Sequence, residues 1–117
     1  MKIRIHNNFI RLRLNKTDLQ IFGSDHVVSN VIDFGTQKLV YELRTDKEIK
    51  ELSANINGHV ISVEVPIDKA EEWVETELVG FENDESETLK ILVEKDFHCL
   101  HKRPHEDESD SFKNPLA

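Results

Sequence analysis

The residues best suited to chemistry lie at the end of the chain. His98, Cys99, His101 and His105 fall within eight positions and are followed at once by Glu106, Asp107, Glu108 and Asp110. Thiolate, imidazole and carboxylate are the donors that hold a transition metal such as zinc, iron or nickel. In an extended segment Cys99 and His101 share a side, so they are the first candidate ligands, with His98, His105 and Glu106 as alternates. His6, His26 or His59 from the body of the chain could complete the set. The spacing matches neither the Cys-x2-Cys nor the His-x3-His element of structural zinc sites. Two other readings compete: a solvated acidic tail tied down by Phe97, Leu100, Phe112 and Leu116, or a reactive Cys99 whose thiol is activated by a neighbouring histidine.

A second candidate surface is basic. Residues 1–16 carry Lys2, Arg4, Arg11, Arg13 and Lys16 and no acid, in a chain whose net charge is −8. Ile3 and Ile5 alternate with cations before Asn7-Asn8; Ile10, Leu12 and Leu14 alternate with cations after it. A two-residue turn at Asn7-Asn8 puts the apolar residues on one face and sets Arg4 opposite Arg11 and Lys2 opposite Arg13. Opposed like charges disfavour the pairing by a few tenths to about 1 kcal/mol each. Either an acidic neighbour such as Glu64, Glu94 or the Glu106–Asp110 run neutralises them, or Arg4, Arg11 and Arg13 form an anion-binding site. The acidic balance and the lack of interleaved aromatics argue against nucleic acid.

The elements that would position these residues are mostly strands. After the hairpin, Thr17 and Gln20 have capping-box spacing for a short helix that Gly23 is placed to close. Strands are expected near 26–34, 37–45, 48–56 and 60–65, with Asn57-Gly58 the strongest hairpin signal and Pro66 a stop. Asp68 is expected to cap a helix to about Glu75, with Ile67, Ala70, Trp73 and Val74 on its apolar face. A short strand at 78–81 and a last one at 88–95 follow. No internal repeat is evident. These elements predict a single α+β domain: an antiparallel, curled or barrel-like meander over residues 1–95, with residues 96–117 strapped to its surface.

Length, composition and charge limit the rest. At 117 residues the chain can bury one core without staples, and its one cysteine allows no internal disulfide, which suits a reducing, cytoplasmic setting. No membrane span or apolar export signal is visible. KIRIHNNFIRLRL at the start and LVEKDFHCLHKRPHEDESDSFKNP at the end resemble a family of small uncharacterised bacterial proteins. That resemblance implies a bacterial single-domain protein and assigns no activity. The leading functional expectation is a non-enzymatic binding or accessory protein engaging a metal ion or a protein partner through the C-terminal segment. The alternatives are an enzyme that uses a tail-bound metal or Cys99 on an anionic substrate, and a structural module that dimerises by a strand edge.

Overall fold

The computed structural model describes residues 1–97, 110 and 112. The chain forms β1 (Lys2–His6), β2 (Phe9–Leu14), α1 (Lys16–Asp25), β3 (Val27–Asp33), β4 (Lys38–Asp46), β5 (Ser53–Asn57), β6 (Val60–Pro66), α2 (Ile67–Glu75), β7 (Gly80–Glu82) and β8 (Lys90–Lys95). Among the described residues, two helices and eight strands in two four-stranded sheets make an α+β fold. One sheet, here sheet A, has the order β1-β2-β8-β7; the other, sheet B, has the order β3-β4-β6-β5.

The expected meander is corrected at the centre of each sheet. Every hairpin is antiparallel, but β2 pairs with β8 in parallel and β4 pairs with β6 in parallel. Among the described residues the sheets do not close into a barrel. Local alternation predicts strands and hairpins, whereas parallel partners far apart in sequence leave no local mark.

These pairings reveal a repeat. Residues 1–25 match residues 52–76 at a constant offset of 51, as in Ile5 and Ile56, Ile10 and Ile61, Leu12 and Val63, and Phe22 and Trp73. The following strands continue the match, with Asn30 and Asn83 beside Tyr41 and Ile91, and Val28 and Phe81 beside Leu43 and Val93. The chain is thus two strand–strand–helix–strand–strand units about a quasi-two-fold axis, each giving its last hairpin to the other's sheet. Even the turns correspond: Asn7 (φ 51°) matches Gly58 (φ 60°), and their successors Asn8 and His59 each accept a backbone N–H from the neighbouring parallel strand.

Helix starts and ends differ from the sequence expectation. Asn15, not Thr17, caps α1 by accepting from the Asp18 N–H at 2.9 Å. The helix ends at His26, a left-handed residue (φ 64°) whose N–H donates to the Phe22 carbonyl. Gly23 lies inside the helix; a β-carbon there would sit 3.0 Å from Val74 Cγ1, so its smallness makes room for α2. Pro66 rather than Asp68 precedes α2, with no side-chain cap.

The core lies between the sheets and helices. Leu12, Leu14, Leu43, Val63, Val65, Val93, Phe22 and Trp73 are essentially fully buried, each contributing about 1.5–3 kcal/mol over an exposed side chain. Phe22 meets Trp73 edge-on at 5.9 Å between ring centroids, joining the two helices near the quasi-two-fold. Trp73 Nε1 donates to the Val79 carbonyl at 3.0 Å. Tyr41 Oη donates to the Met1 carbonyl at 2.9 Å, tying sheet B to sheet A.

Gly80 marks the tightest strand contact: a β-carbon there would overlap the Val93 carbonyl and lie 2.7 Å from Glu94 Cβ. Gly80→Ala is therefore expected to cost about 1–3 kcal/mol in urea unfolding. An exposed Gly35→Ala change, set against open space at φ +86°, should cost only about 1 kcal/mol.

Candidate functional site

The basic hairpin face forms as the register required. Lys2 opposes Arg13 and Arg4 opposes Arg11. The neutralising strand is β8, which lies parallel to β2 with Glu94 beside Arg13. Glu94 Oε1 accepts from Arg11 Nε at 2.7 Å and lies 3.3 Å from Arg13 Nε. Asp96, buried, pairs with Lys2 Nζ at 3.0 Å and with Arg13 Nη2 at 3.7 Å. Two carboxylates thus stand among three cations, and the repulsion across the hairpin becomes an ion-pair lattice. Glu64 belongs to sheet B and accepts from Asn55 Nδ2 instead, and Glu106 to Ser109 lie outside the described residues. Arg4 is exposed and has no ion-pair partner among the described residues. Lys2, Arg4, Arg11 and Arg13 also line a shallow concavity with Ile3.

The C-terminal ligand set Cys99, His101, His98, His105 and Glu106 lies outside the described residues. Beyond Phe97, the described positions of that segment, Asp110 and Phe112, touch the body. The Lys16 N–H donates to the Asp110 carbonyl at 3.0 Å, and the Phe112 N–H donates to the Asp96 carbonyl at 2.7 Å. Phe112 packs edge-on against Phe97 at 5.9 Å and sits under Lys95 Nζ at 5.4 Å. Among the described residues no three His, Cys, Asp or Glu side chains are grouped as a metal would need. His6 ends β1 just before the first turn, His59 lies in the equivalent turn between β5 and β6, and His26 is at the end of α1.

Lys95 is buried at the end of β8, where its ammonium donates to the Thr76 carbonyl at 2.8 Å. Thr76 is the C-cap of α2, so the cation meets the negative end of that helix. Burial pushes the Lys95 ammonium below its usual 10.5, and Glu77 opposes the shift.

The surface that sequence reasoning missed is apolar. In sheet A, Asn83 ends β7 by turning its side chain back: Oδ1 accepts from the Ile91 N–H and Nδ2 donates to the Leu89 carbonyl. Its counterpart Asn30 does not do this, and β3 runs on to Asp33. The β3–β4 hairpin thereby projects as an arm with apolar residues on both faces. Val31 is 55% exposed, Ile32 39% and Phe34 63%, and Ile56 on β5, at 68%, adds to the same end of the sheet. Phe34, Leu39 and His59 line a concavity there with Gln37 and Lys38. The signal was legible as a run of alternating residues, but alternation does not tell which half of a strand extends past the core.

A family model described as a family of unknown function (DUF7009) matches residues 1–116, and the chain belongs to that family. No curated protein and no solved structure matches. Among the described residues no helix is long and apolar enough to cross a membrane.

Two outcomes test the electrostatics. Glu94→Gln leaves Arg11 and Arg13 without the negative charge they share, and after allowance for their partial exposure should cost about 1–2 kcal/mol. Urea unfolding at low and high salt checks this, since salt should narrow the gap from wild type. For Lys95, the native state releases its proton at lower pH than the unfolded chain. Between its lowered value and 10.5 the unfolded chain therefore binds more protons, and wild-type stability should rise with pH relative to Lys95→Met. Paired denaturation curves from neutral to alkaline pH read the difference.

Proposed function

We propose that this member of the family is a non-enzymatic binding or accessory protein that docks on a protein partner through the apolar end of sheet B. The observation that carries the reading is the exposure of Val31, Ile32 and Phe34 at the end of edge strand β3, which has no further strand beside it among the described residues, with Ile56 exposed near the same end on the opposite edge strand β5. Exposed apolar residues are ordinary when scattered; several gathered at a strand edge mark an interaction surface. The quasi-two-fold supplies an internal control. The matching end of sheet A shares the exposed counterpart of Ile56, Ile5 at 57%, but where sheet B has Val31, Ile32 and Phe34 it carries Asp84, Glu85 and Glu87 of the acidic turn after Asn83.

The two ends make different predictions. A photo-crosslinking residue placed at Phe34 in the full chain should yield a defined protein adduct, and the same residue at Glu85, on the matching end of sheet A, should not. Phe34→Ser should change unfolding stability by less than about 0.5 kcal/mol, because its side chain is already in solvent, yet weaken partner binding at least about tenfold. Equal labelling at both ends would contradict the reading.

A further inference from the structure

We infer that the occupant of this surface is a second copy of the chain, added to sheet B by antiparallel pairing of β3 with β3 about a two-fold axis at Asn30. The inference rests on the docking reading above and names its partner. Four observations lead to it.

The first is the state of the four sheet edges. β1 carries Lys2, Arg4 and His6, which would oppose like charges in a self-pair; β7 is three residues long; β5 is five residues of mostly polar sequence. β3 is the longest edge, VVSNVID, and holds neither a cation nor a proline. Strands without those features are the ones that accept another chain.

The second is which backbone groups are free. The Phe34 N–H donates to the Gln37 carbonyl, and the His26 carbonyl accepts from the Thr45 N–H. Even-numbered residues of β3 therefore bond to β4, and Val27, Ser29, Val31 and Asp33 direct their N–H and C=O groups outward. An axis at Asn30 sets Val27 opposite Asp33 and Ser29 opposite Val31. Every outward residue then faces another outward residue, and Asn30 faces its own twin in a non-hydrogen-bonded pair, where side chains approach most closely.

The third is Asn30 itself. Its Oδ1 is buried with no hydrogen-bond partner among the described residues, whereas Asn83, its counterpart, satisfies its own side-chain amide within the chain. Opposite its twin, the Asn30 side chain would turn outward so that its carbonyl oxygen accepts from the other copy's amide.

The fourth is charge. Asp33 is the only ionised residue of the strand, and its twin lies at the far end of the pairing, so the two carboxylates do not meet. Each Asp33 would instead approach the other copy's Val27, whose neighbour in sheet B is the half-exposed Arg44, a guanidinium that also pairs with Glu42 at 3.3 Å. Each end of the pairing thus brings a carboxylate toward a guanidinium, while Val31, Ile32 and Val28 meet across the middle.

The test is the mass of the full chain in solution, with two kinds of variant. Sedimentation equilibrium through the micromolar range should give twice the 13.6 kDa chain mass. Val31→Pro removes an outward N–H that no hydrogen bond among the described residues uses, and Val31→Lys adds charge opposite Ser29; each should weaken dimerisation at least tenfold while circular dichroism stays native. In a Cys99→Ser background, Asn30→Cys should oxidise to a disulfide-linked dimer, and Ile32→Cys, which faces Val28 and not its twin, should not. A wild-type monomer overturns the inference, as does a dimer that survives Val31→Pro and leaves Asn30→Cys uncrosslinked. Neither result would decide the docking reading, which falls only if the Phe34 adduct is absent or matched at Glu85.

Discussion

The fold depends on the two parallel strand pairings at the sheet centres. β2 with β8, and β4 with β6, are what carry each unit's second hairpin into the other unit's sheet. Neither sheet can be completed by one half of the chain, so the halves fold as one cooperative object. Placing the parallel pair centrally also protects it: each strand of the pair is flanked on its other side by a hairpin partner. The helices then fill the space the crossing leaves, and Phe22 and Trp73, the matched large residues of the two units, meet near the axis.

The two units depart from each other in two places. The outer face of sheet A bears Lys2, Arg4, Arg11 and Arg13, and the equivalent positions of sheet B hold Ser53, Asn55, Ser62 and Glu64. The cations are largely consumed by Glu94 and Asp96, which makes that face a source of cohesion for a four-stranded sheet with a short edge. The other departure is at the matched asparagines. Asn83 stops its strand and Asn30 does not, and that single difference in side-chain hydrogen bonding leaves sheet B with an apolar arm.

Much of the local structure was legible in the residues. The β1–β2 register followed from Asn7-Asn8 and the alternation on either side, and with it the opposition of Arg4 to Arg11. Asn57-Gly58 marked the β5–β6 hairpin and Trp73 the core. The parallel pairings were not legible, because they join strands separated by helices and hairpins with no local consequence. Nor was the repeat: residues 1–25 and 52–76 are identical at only Ile5/Ile56 and Ile10/Ile61. What the two units share is the order of apolar and polar positions, which two identities do not announce. The cap at Asn15 was misread as Thr17 because two good cap formers stand close together. The candidate metal ligands of the tail fall outside the described residues, and the apolar arm escaped notice because its sequence is that of an ordinary strand.

The claim that β3 is an open edge awaiting a partner has a direct readout in amide exchange. Val27, Ser29, Val31 and Asp33 have outward N–H groups, whereas those of Val28, Asn30 and Ile32 are bonded to β4. Residue-resolved hydrogen exchange, measured on dilute and on concentrated protein, separates the two sets. The account predicts outward amides that exchange fast when dilute and become protected with rising concentration, while the inward set is protected throughout. Outward amides that exchange fast and equally at every concentration would contradict it.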